Sequence, residues 1–164
     1  TYDQAFWAKD YEVDRLRQQA KLIKPSLIGN IGQNLTGNDE NGKQISIYDI
    51  TAPFTVIYLF SYDCENCKKE SPKLVKFYNE WKNKGVDIFS ICIDGEQDEW
   101  KKYLTKNGMT FHNIFDPKNA TGFGARYHVE HTPQIYVLNK NHKIIASNIL
   151  SEQIPKIIEE ELKK

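Results

Sequence analysis

The chain has 164 residues, of which 40% are hydrophobic and 12% aromatic, and this predicts one packed domain rather than a disordered segment. Lys plus Arg and Asp plus Glu are equal at 22 each, so no global charge favours nucleic acid as a partner. The longest apolar run, around residues 56–60, is far too short to span a bilayer.

The first part of the chain predicts a helix outside the domain core. Apolar residues recur at helical spacing over residues 3–24, and Pro25 is expected to end this helix. We therefore expect residues 1–27 to be an N-terminal helix that links an upstream domain, and residues 28–164 to form the domain itself.

A hairpin is predicted ahead of the core. The dipeptide Asn41-Gly42 favours a tight turn, and residues 43–50 follow it as a strand in which Ile45 and Ile47 alternate with polar residues.

The remaining elements alternate between strands and helices. Strands are predicted where β-branched and aromatic residues run together, and helices where apolar residues repeat at helical spacing. The expected order is strand 54–60, helix 64–84, strand 86–93, helix 96–107, strand 111–115, a short helical piece 120–127, strands 133–138 and 143–147, and helix 151–163. Ser151 is expected to cap the last helix with its side chain. This order predicts an α/β fold with a mixed central sheet that helices cover on both faces.

A dithiol pair stands where a buried strand gives way to a helix. Cys64 and Cys67 form a C-x-x-C motif, and the unpaired N–H groups at a helix start favour a thiolate on the first cysteine. Cys64 is therefore expected to be the nucleophile, and Cys67, one turn later, the resolving thiol. Glu70 returns to the same side of the helix as Cys67, where a carboxylate could accept and return its proton.

A second candidate element is Thr132-Pro133, at the entry to a strand. Proline is tolerated at the first residue of a strand, and this peptide bond is a candidate for the cis form. The backbone of Thr132 could then face an extended substrate chain beside the dithiol, and Tyr62 is expected to contact the same substrate.

These motifs together resemble the thioredoxin superfamily. Residues 64–72 read C-E-N-C-K-K-E-S-P, and Thr132-Pro133 follows later in the chain. Within the superfamily the chain is similar to the TlpA/ResA-like extracytoplasmic thiol–disulfide oxidoreductases, whose N-terminal hairpin and extra strand–helix insertion it matches. The resemblance covers residues 28–150, and the segment before it is similar to linkers in multidomain Bacteroidetes-type proteins.

The resemblance implies roles for particular residues. It makes Cys64 the attacking thiol, Cys67 the resolving thiol, Glu70 the active-site glutamate and Pro133 the cis-proline. No cofactor is implied, while protein disulfides are the implied substrates and an electron-donating redox partner is required. A periplasmic or cell-envelope location is expected, with a lipid anchor on a missing upstream segment as a further expectation.

The chain departs from the family at the residues around the nucleophile. Asp63 stands where relatives usually carry tryptophan, and Glu65 adds a second carboxylate. Both charges oppose the helix dipole, so we expect Cys64 to be less acidic than in a strongly oxidising relative. Tyr58 replaces the buried aspartate of thioredoxin itself, which favours Glu70 as the proton relay.

Two other functions remain open at this stage. The pair could hold a metal, and copper delivery would need His128 or His131 to approach the cysteines. A thioredoxin-like fold could also act as a binding module through the same cysteines. Cys92 lies alone in an apolar run and is expected to be a buried core thiol.

Overall fold

The computed structural model describes residues 11–19 and 26–164. Residues 11–19 are helical, as predicted, and the rest of the helix expected over residues 3–24 lies outside the described residues. That this segment links an upstream domain stays a prediction. In the part of the chain that the structure describes, none of the helices combines the length and the apolar character needed to cross a bilayer.

The domain is built on a mixed five-stranded sheet with the order β5-β4-β3-β6-β7. The elements are β1 Thr36–Asn38, β2 Gln44–Ser46, β3 Phe54–Phe60, α1 Glu65–Trp81, β4 Val86–Cys92, α2 Gln97–Asn107, β5 His112–Phe115, α3 Phe123–Arg126, β6 Gln134–Leu138, β7 Ile144–Ser147 and α4 Ile154–Leu162. Strands β3, β4 and β5 run parallel, whereas β6 and β7 add antiparallel pairs on the other side of β3. The predicted α/β class and mixed sheet are confirmed.

Both faces of the sheet are covered, but by different elements. Strand β3 is buried on both faces, and its side chains alternate between two apolar clusters. Val56 and Tyr58 pack in the cluster that contains residues of α1, α2 and α4. Ile57 and Leu59 pack in the cluster with Phe123 of the one-turn helix α3 and with apolar residues next to the β1–β2 hairpin. The three longer helices α1, α2 and α4 therefore lie on one face of the sheet, and α1 is the helix that carries Cys67.

The predicted hairpin forms, with β1 antiparallel to β2, but the strand expected over residues 43–50 is wrong beyond Ser46. Ile47–Asp49 is a 3-10 helix instead. The side-chain oxygen of Asn34 accepts hydrogen bonds from the Ser46 hydroxyl (2.6 Å) and the Tyr48 backbone N–H (3.0 Å). A side chain that satisfies the backbone locally competes with strand pairing, so the chain turns here.

The expected side-chain cap at Ser151 is also wrong. Ser151 begins a 3-10 turn that precedes α4, and its hydroxyl oxygen is buried without a hydrogen-bond partner among the described residues. Its backbone N–H donates instead to the carboxylate of Glu70 (2.5 Å). Glu70, a residue distant in sequence, thus satisfies a backbone N–H at the turn that precedes α4.

Candidate active site

The dithiol lies at the start of α1, directly after the central strand. Cys64 is the N-cap residue, and its sulfur accepts a hydrogen bond from the backbone N–H of Cys67 (3.2 Å). This N–H belongs to the first turn, whose donors have no partner within the helix. The sulfur of Cys64 therefore occupies the place where a helix favours negative charge.

Cys64 is partly exposed, and its surroundings make it the more acidic thiol of the pair. Burial is the largest single influence and acts to raise its pKa. Hydrogen bonds with the side chains of Cys67 and Thr132, and with backbone N–H groups of Cys67 and Asn66, outweigh that effect and lower the pKa of Cys64 below its usual value. These bonds favour the thiolate over the neutral thiol.

Cys67 has the opposite character. Its side chain is fully buried, and burial, followed by the hydrogen bond with Cys64, raises its pKa to about 12. Both cysteines are free thiols in this structure. The site thus pairs an accessible, acidified sulfur with a buried one that keeps its proton.

The Thr132-Pro133 loop meets Cys64 because of the sheet topology. Strand β6 is antiparallel to β3, with Gln134 opposite Leu59, so β6 begins beside the point where β3 ends. The thiol of Cys64 donates to the carbonyl oxygen of Thr132 (3.5 Å), and the Thr132-Pro133 peptide bond is cis. Both loop residues are half-buried, so part of their surface remains accessible next to the Cys64 sulfur.

Tyr62, predicted to contact substrate, is tied to the segment before α2. Its hydroxyl accepts the backbone N–H of Glu96 (2.7 Å). Gly95 adopts a positive φ of 92°, and a methyl group there would overlap the Tyr62 ring. The contact joins the residues just before Cys64 to this segment and leaves the Tyr62 ring partly exposed. Its role toward substrate stays a prediction.

Glu70 is buried within α1, only 5% exposed. Its carboxylate accepts the N–H of Ser151 (2.5 Å), so it connects the dithiol helix to the turn that begins the C-terminal helix. The predicted exchange of a proton with Cys67 stays a prediction. A structural role as a helix-capping acceptor was not expected from the sequence.

Three hydroxyl groups lie together next to Cys67, an arrangement that the sequence motifs did not predict. Ser71 lies one turn after Cys67, and its hydroxyl is 2.8 Å from the hydroxyl of Tyr58 and 2.8 Å from that of Tyr103. Both phenols also reach the carbonyl oxygen of Cys67, at 3.5 Å from Tyr58 and 3.3 Å from Tyr103. The four-residue spacing of Cys67 and Ser71 is the signal that the sequence offered for part of this group.

Cys92 is fully buried, as predicted, and burial raises its pKa to about 12. A metal site receives no support from the histidines. The ring of His128 pairs with Glu130 (2.9 Å), and His131 is exposed. Over residues 11–19 and 26–164, no group of three or more His, Cys, Asp or Glu side chains is arranged to hold a metal ion.

The fold and this site can be compared with known proteins. The family model described as the AhpC/TSA family matches residues 28–147, which is most of the chain. The chain belongs to the AhpC/TSA family. The division into an N-terminal linker helix over residues 1–27 and a domain over residues 28–164 stays a prediction.

Named relatives and solved structures show what this chain is similar to. The thiol-disulfide oxidoreductase ResA of Bacillus thuringiensis (strain Al Hakam) is 28% identical over 137 residues, which cover 84% of this chain and 78% of the relative. A domain of a possible thiol-disulfide isomerase from Cytophaga hutchinsonii is 30% identical, with a TM-score of 0.77 over 84% of this chain and 94% of that one. A thiol:disulfide interchange protein from Bacteroides sp. shares the fold at 22% identity, with a TM-score of 0.75 over 85% of this chain and 93% of that one. The resemblance to ResA-like proteins is confirmed, and the chain is a thioredoxin-like enzyme of the thiol–disulfide oxidoreductase class.

Proposed function

We propose that this enzyme reduces protein disulfides through Cys64 and Cys67. The Cys64 thiolate attacks one sulfur of a substrate disulfide, forms a mixed disulfide and releases the other substrate sulfur as a thiolate. Cys67 then loses its proton and attacks Cys64, which releases the second substrate thiolate and leaves a Cys64–Cys67 disulfide. The observation that carries the proposal is the contrast in acidity, because the accessible thiol has a lowered pKa and the buried thiol a raised one.

Resolution requires the Cys67 proton to leave, and Glu70 is our candidate to accept it. A thiol with a pKa of about 12 is a poor nucleophile near neutral pH unless a base assists it. Glu70 is buried on the same helix one turn after Cys67 and carries a carboxylate. The hydrogen bond from the Ser151 N–H would hold that carboxylate in place.

The substrate is proposed to be an extended protein segment that contains a disulfide. Thr132 and Pro133 lie beside the Cys64 sulfur and are only half-buried, so a bound chain could approach the loop backbone there. Tyr62 offers a partly exposed ring next to the cysteines. These three residues form the proposed substrate-binding surface.

We propose a reducing direction and an extracytoplasmic setting. Asp63 and Glu65 are exposed carboxylates on either side of Cys64, and neighbouring negative charge disfavours the thiolate that a strong oxidant stabilises. Protein disulfides persist mainly in oxidising compartments, such as the bacterial periplasm and cell surface. An electron-donating partner protein would have to reduce the Cys64–Cys67 disulfide after each cycle.

Turnover and trapping test the assignment of the two cysteines. The wild-type protein should catalyse insulin reduction by dithiothreitol, Cys64→Ser should abolish this turnover, and Cys67→Ser should accumulate a mixed disulfide with insulin at Cys64. Cys92→Ser is the matched control, since it removes the third, buried thiol, and it should retain activity. Full turnover by Cys64→Ser, or failure of Cys67→Ser to trap any insulin, would contradict the proposal.

A further inference from the structure

The backbone of Cys67 is contacted on both sides of its Cα atom. On one side, its N–H donates to the sulfur of Cys64 (3.2 Å). On the other side, its carbonyl oxygen accepts the hydroxyl of Tyr103 (3.3 Å) and lies at 3.5 Å from that of Tyr58. The backbone that carries the buried thiol is therefore fixed by groups from three different elements.

The hydroxyl groups form a connected set rather than isolated contacts. The Ser71 oxygen bonds to both phenols at 2.8 Å. Tyr58 and Ser71 are fully buried, and the Tyr103 ring stacks on Phe60 with a centroid distance of 5.6 Å. Burial raises the pKa of both Tyr58 and Tyr103, so each phenol keeps its proton and stays a donor through the pH range of thiol exchange. Connected buried hydrogen bonds in a low-dielectric environment hold their geometry firmly.

The contacts to the Cys67 N–H and those to the Cys67 carbonyl oxygen respond differently to the reaction. When Cys64 enters a mixed disulfide, its sulfur loses negative charge and becomes only a weak acceptor for the Cys67 N–H. The hydroxyl contacts to the Cys67 carbonyl do not involve either sulfur. They therefore persist in the state in which Cys67 must attack.

We propose that Tyr103, Ser71 and Tyr58 are positioning residues for the resolving step, because they hold Cys67 in line with the mixed disulfide after Cys64 has reacted. This inference rests on the proposed roles of the two cysteines. It assigns a function to helix α2, which supplies Tyr103 and whose preceding segment is bonded to Tyr62 through the Glu96 N–H. The main influences that lower the pKa of Cys64 are contacts of its own sulfur with Cys67, Thr132 and Asn66, and not the three hydroxyls, so we expect attack by Cys64 to be much less sensitive to the hydroxyl set.

The two steps can be separated with dithiobis(nitrobenzoic acid), a disulfide that releases a coloured thiolate. Attack by the Cys64 thiolate releases one nitrothiobenzoate and leaves its partner bound to Cys64. Attack by the Cys67 thiolate on Cys64 then releases the second nitrothiobenzoate and forms the Cys64–Cys67 disulfide. In a stopped-flow experiment the first phase is proportional to reagent concentration, whereas the second, intramolecular phase is independent of it.

Tyr103→Phe is the main variant, because it removes the hydroxyl and keeps the ring that stacks on Phe60. We expect the second phase to slow on the order of ten-fold, since a small loss of alignment in an intramolecular attack is costly, and the first phase to stay within about two-fold of wild type. Ser71→Ala should produce the same split and serves as the second variant. Tyr78→Phe removes a phenol from α1 about three turns beyond Cys67, and both of its phases should match those of the wild type.

Equal slowing of both phases in Tyr103→Phe and Ser71→Ala would overturn the inference, because a general loss of structure acts on both steps. Unchanged second phases in both variants would also overturn it. Failure of the underlying assignment has a different signature. In that case Cys64→Ser would still give the first phase, or Cys67→Ser would still give the second.

Discussion

The contact between Glu70 and Ser151 leads to a prediction about stability that is separate from any role of Glu70 in catalysis. The carboxylate accepts a backbone N–H at 2.5 Å in a buried position, at the turn where the C-terminal helix begins. A hydrogen bond to a charged group contributes about 1.5–3 kcal/mol, and the side-chain methylene lost in Glu70→Ala adds about 0.8 kcal/mol. We therefore expect Glu70→Ala to lower the free energy of unfolding by about 2–4 kcal/mol.

Glu70→Gln keeps an oxygen acceptor of the same shape and loses only the charge. Since a charge-assisted hydrogen bond is roughly twice as strong as a neutral one, its cost should be about 1 kcal/mol. For a domain of this size, 1 kcal/mol corresponds to roughly 2–4 °C in Tm. The ranking Ala below Gln below wild type should appear in both urea and thermal unfolding.

The control for this prediction is Glu80→Ala, which removes an exposed glutamate from the same helix and should stay within about 0.5 kcal/mol of wild type. A Tm loss below about 2 °C in Glu70→Ala would refute the reasoning. The same variants report on proton transfer, because Glu70→Gln should change the pH dependence of Cys67 reactivity if the carboxylate acts as the base. A stability loss without that change would limit Glu70 to its structural role.

Two further predictions concern pH. The pKa of Cys64 is lowered, whereas that of Cys92 is raised to about 12. One equivalent of iodoacetamide near neutral pH should therefore alkylate Cys64 and leave Cys92 unmodified, which peptide mass mapping can measure. Equal labelling of the two cysteines would contradict the assigned acidity. The hydrogen bond with Asp87 raises the pKa of His112, so this pair should stabilise the fold below about pH 6.5 and lose its effect as the pH rises through the raised value. The His112 side chain is 42% exposed, so the difference in unfolding free energy between wild type and His112→Gln should be below about 1 kcal/mol. In urea titrations this difference should shrink from acidic to alkaline pH. A difference that grows with pH would contradict the predicted direction of the pH dependence.

Much of the fold was predictable because it depends on neighbours along the chain. The seven-residue run of β3 indicated a strand buried on both faces, and Gly85 and Gly108 indicated helix ends that both adopt the left-handed conformation. The position of Cys64 at a helix start also followed from local order, since a helix N-terminus acts on the residue that precedes it. Each of these inferences used residues within about one or two turns.

The errors arose where a distant residue decided the local structure. Ser151 has the chemistry of an N-cap, yet its N–H is satisfied by Glu70, 81 positions earlier in the chain. The strand after Gly42 is cut short because the Asn34 side chain binds the backbone beyond it. In both places a side chain from elsewhere supplies a hydrogen bond to the backbone of the turn, and sequence spacing alone carries no information about that side chain.

The sequence by itself determined the make-up of the candidate site: two cysteines separated by two residues at a strand-to-helix junction, followed by a carboxylate and a Thr-Pro dipeptide. Only the tertiary structure decided how the thiols differ and what surrounds them. The antiparallel placement of β6 brings Thr132 to the Cys64 sulfur, and the packing of α2 brings Tyr103 to the Cys67 carbonyl. The acidity of a thiol depends on burial and on hydrogen-bond donors within a few ångströms, and residues far apart in the chain become such neighbours only when the sheet and helices pack.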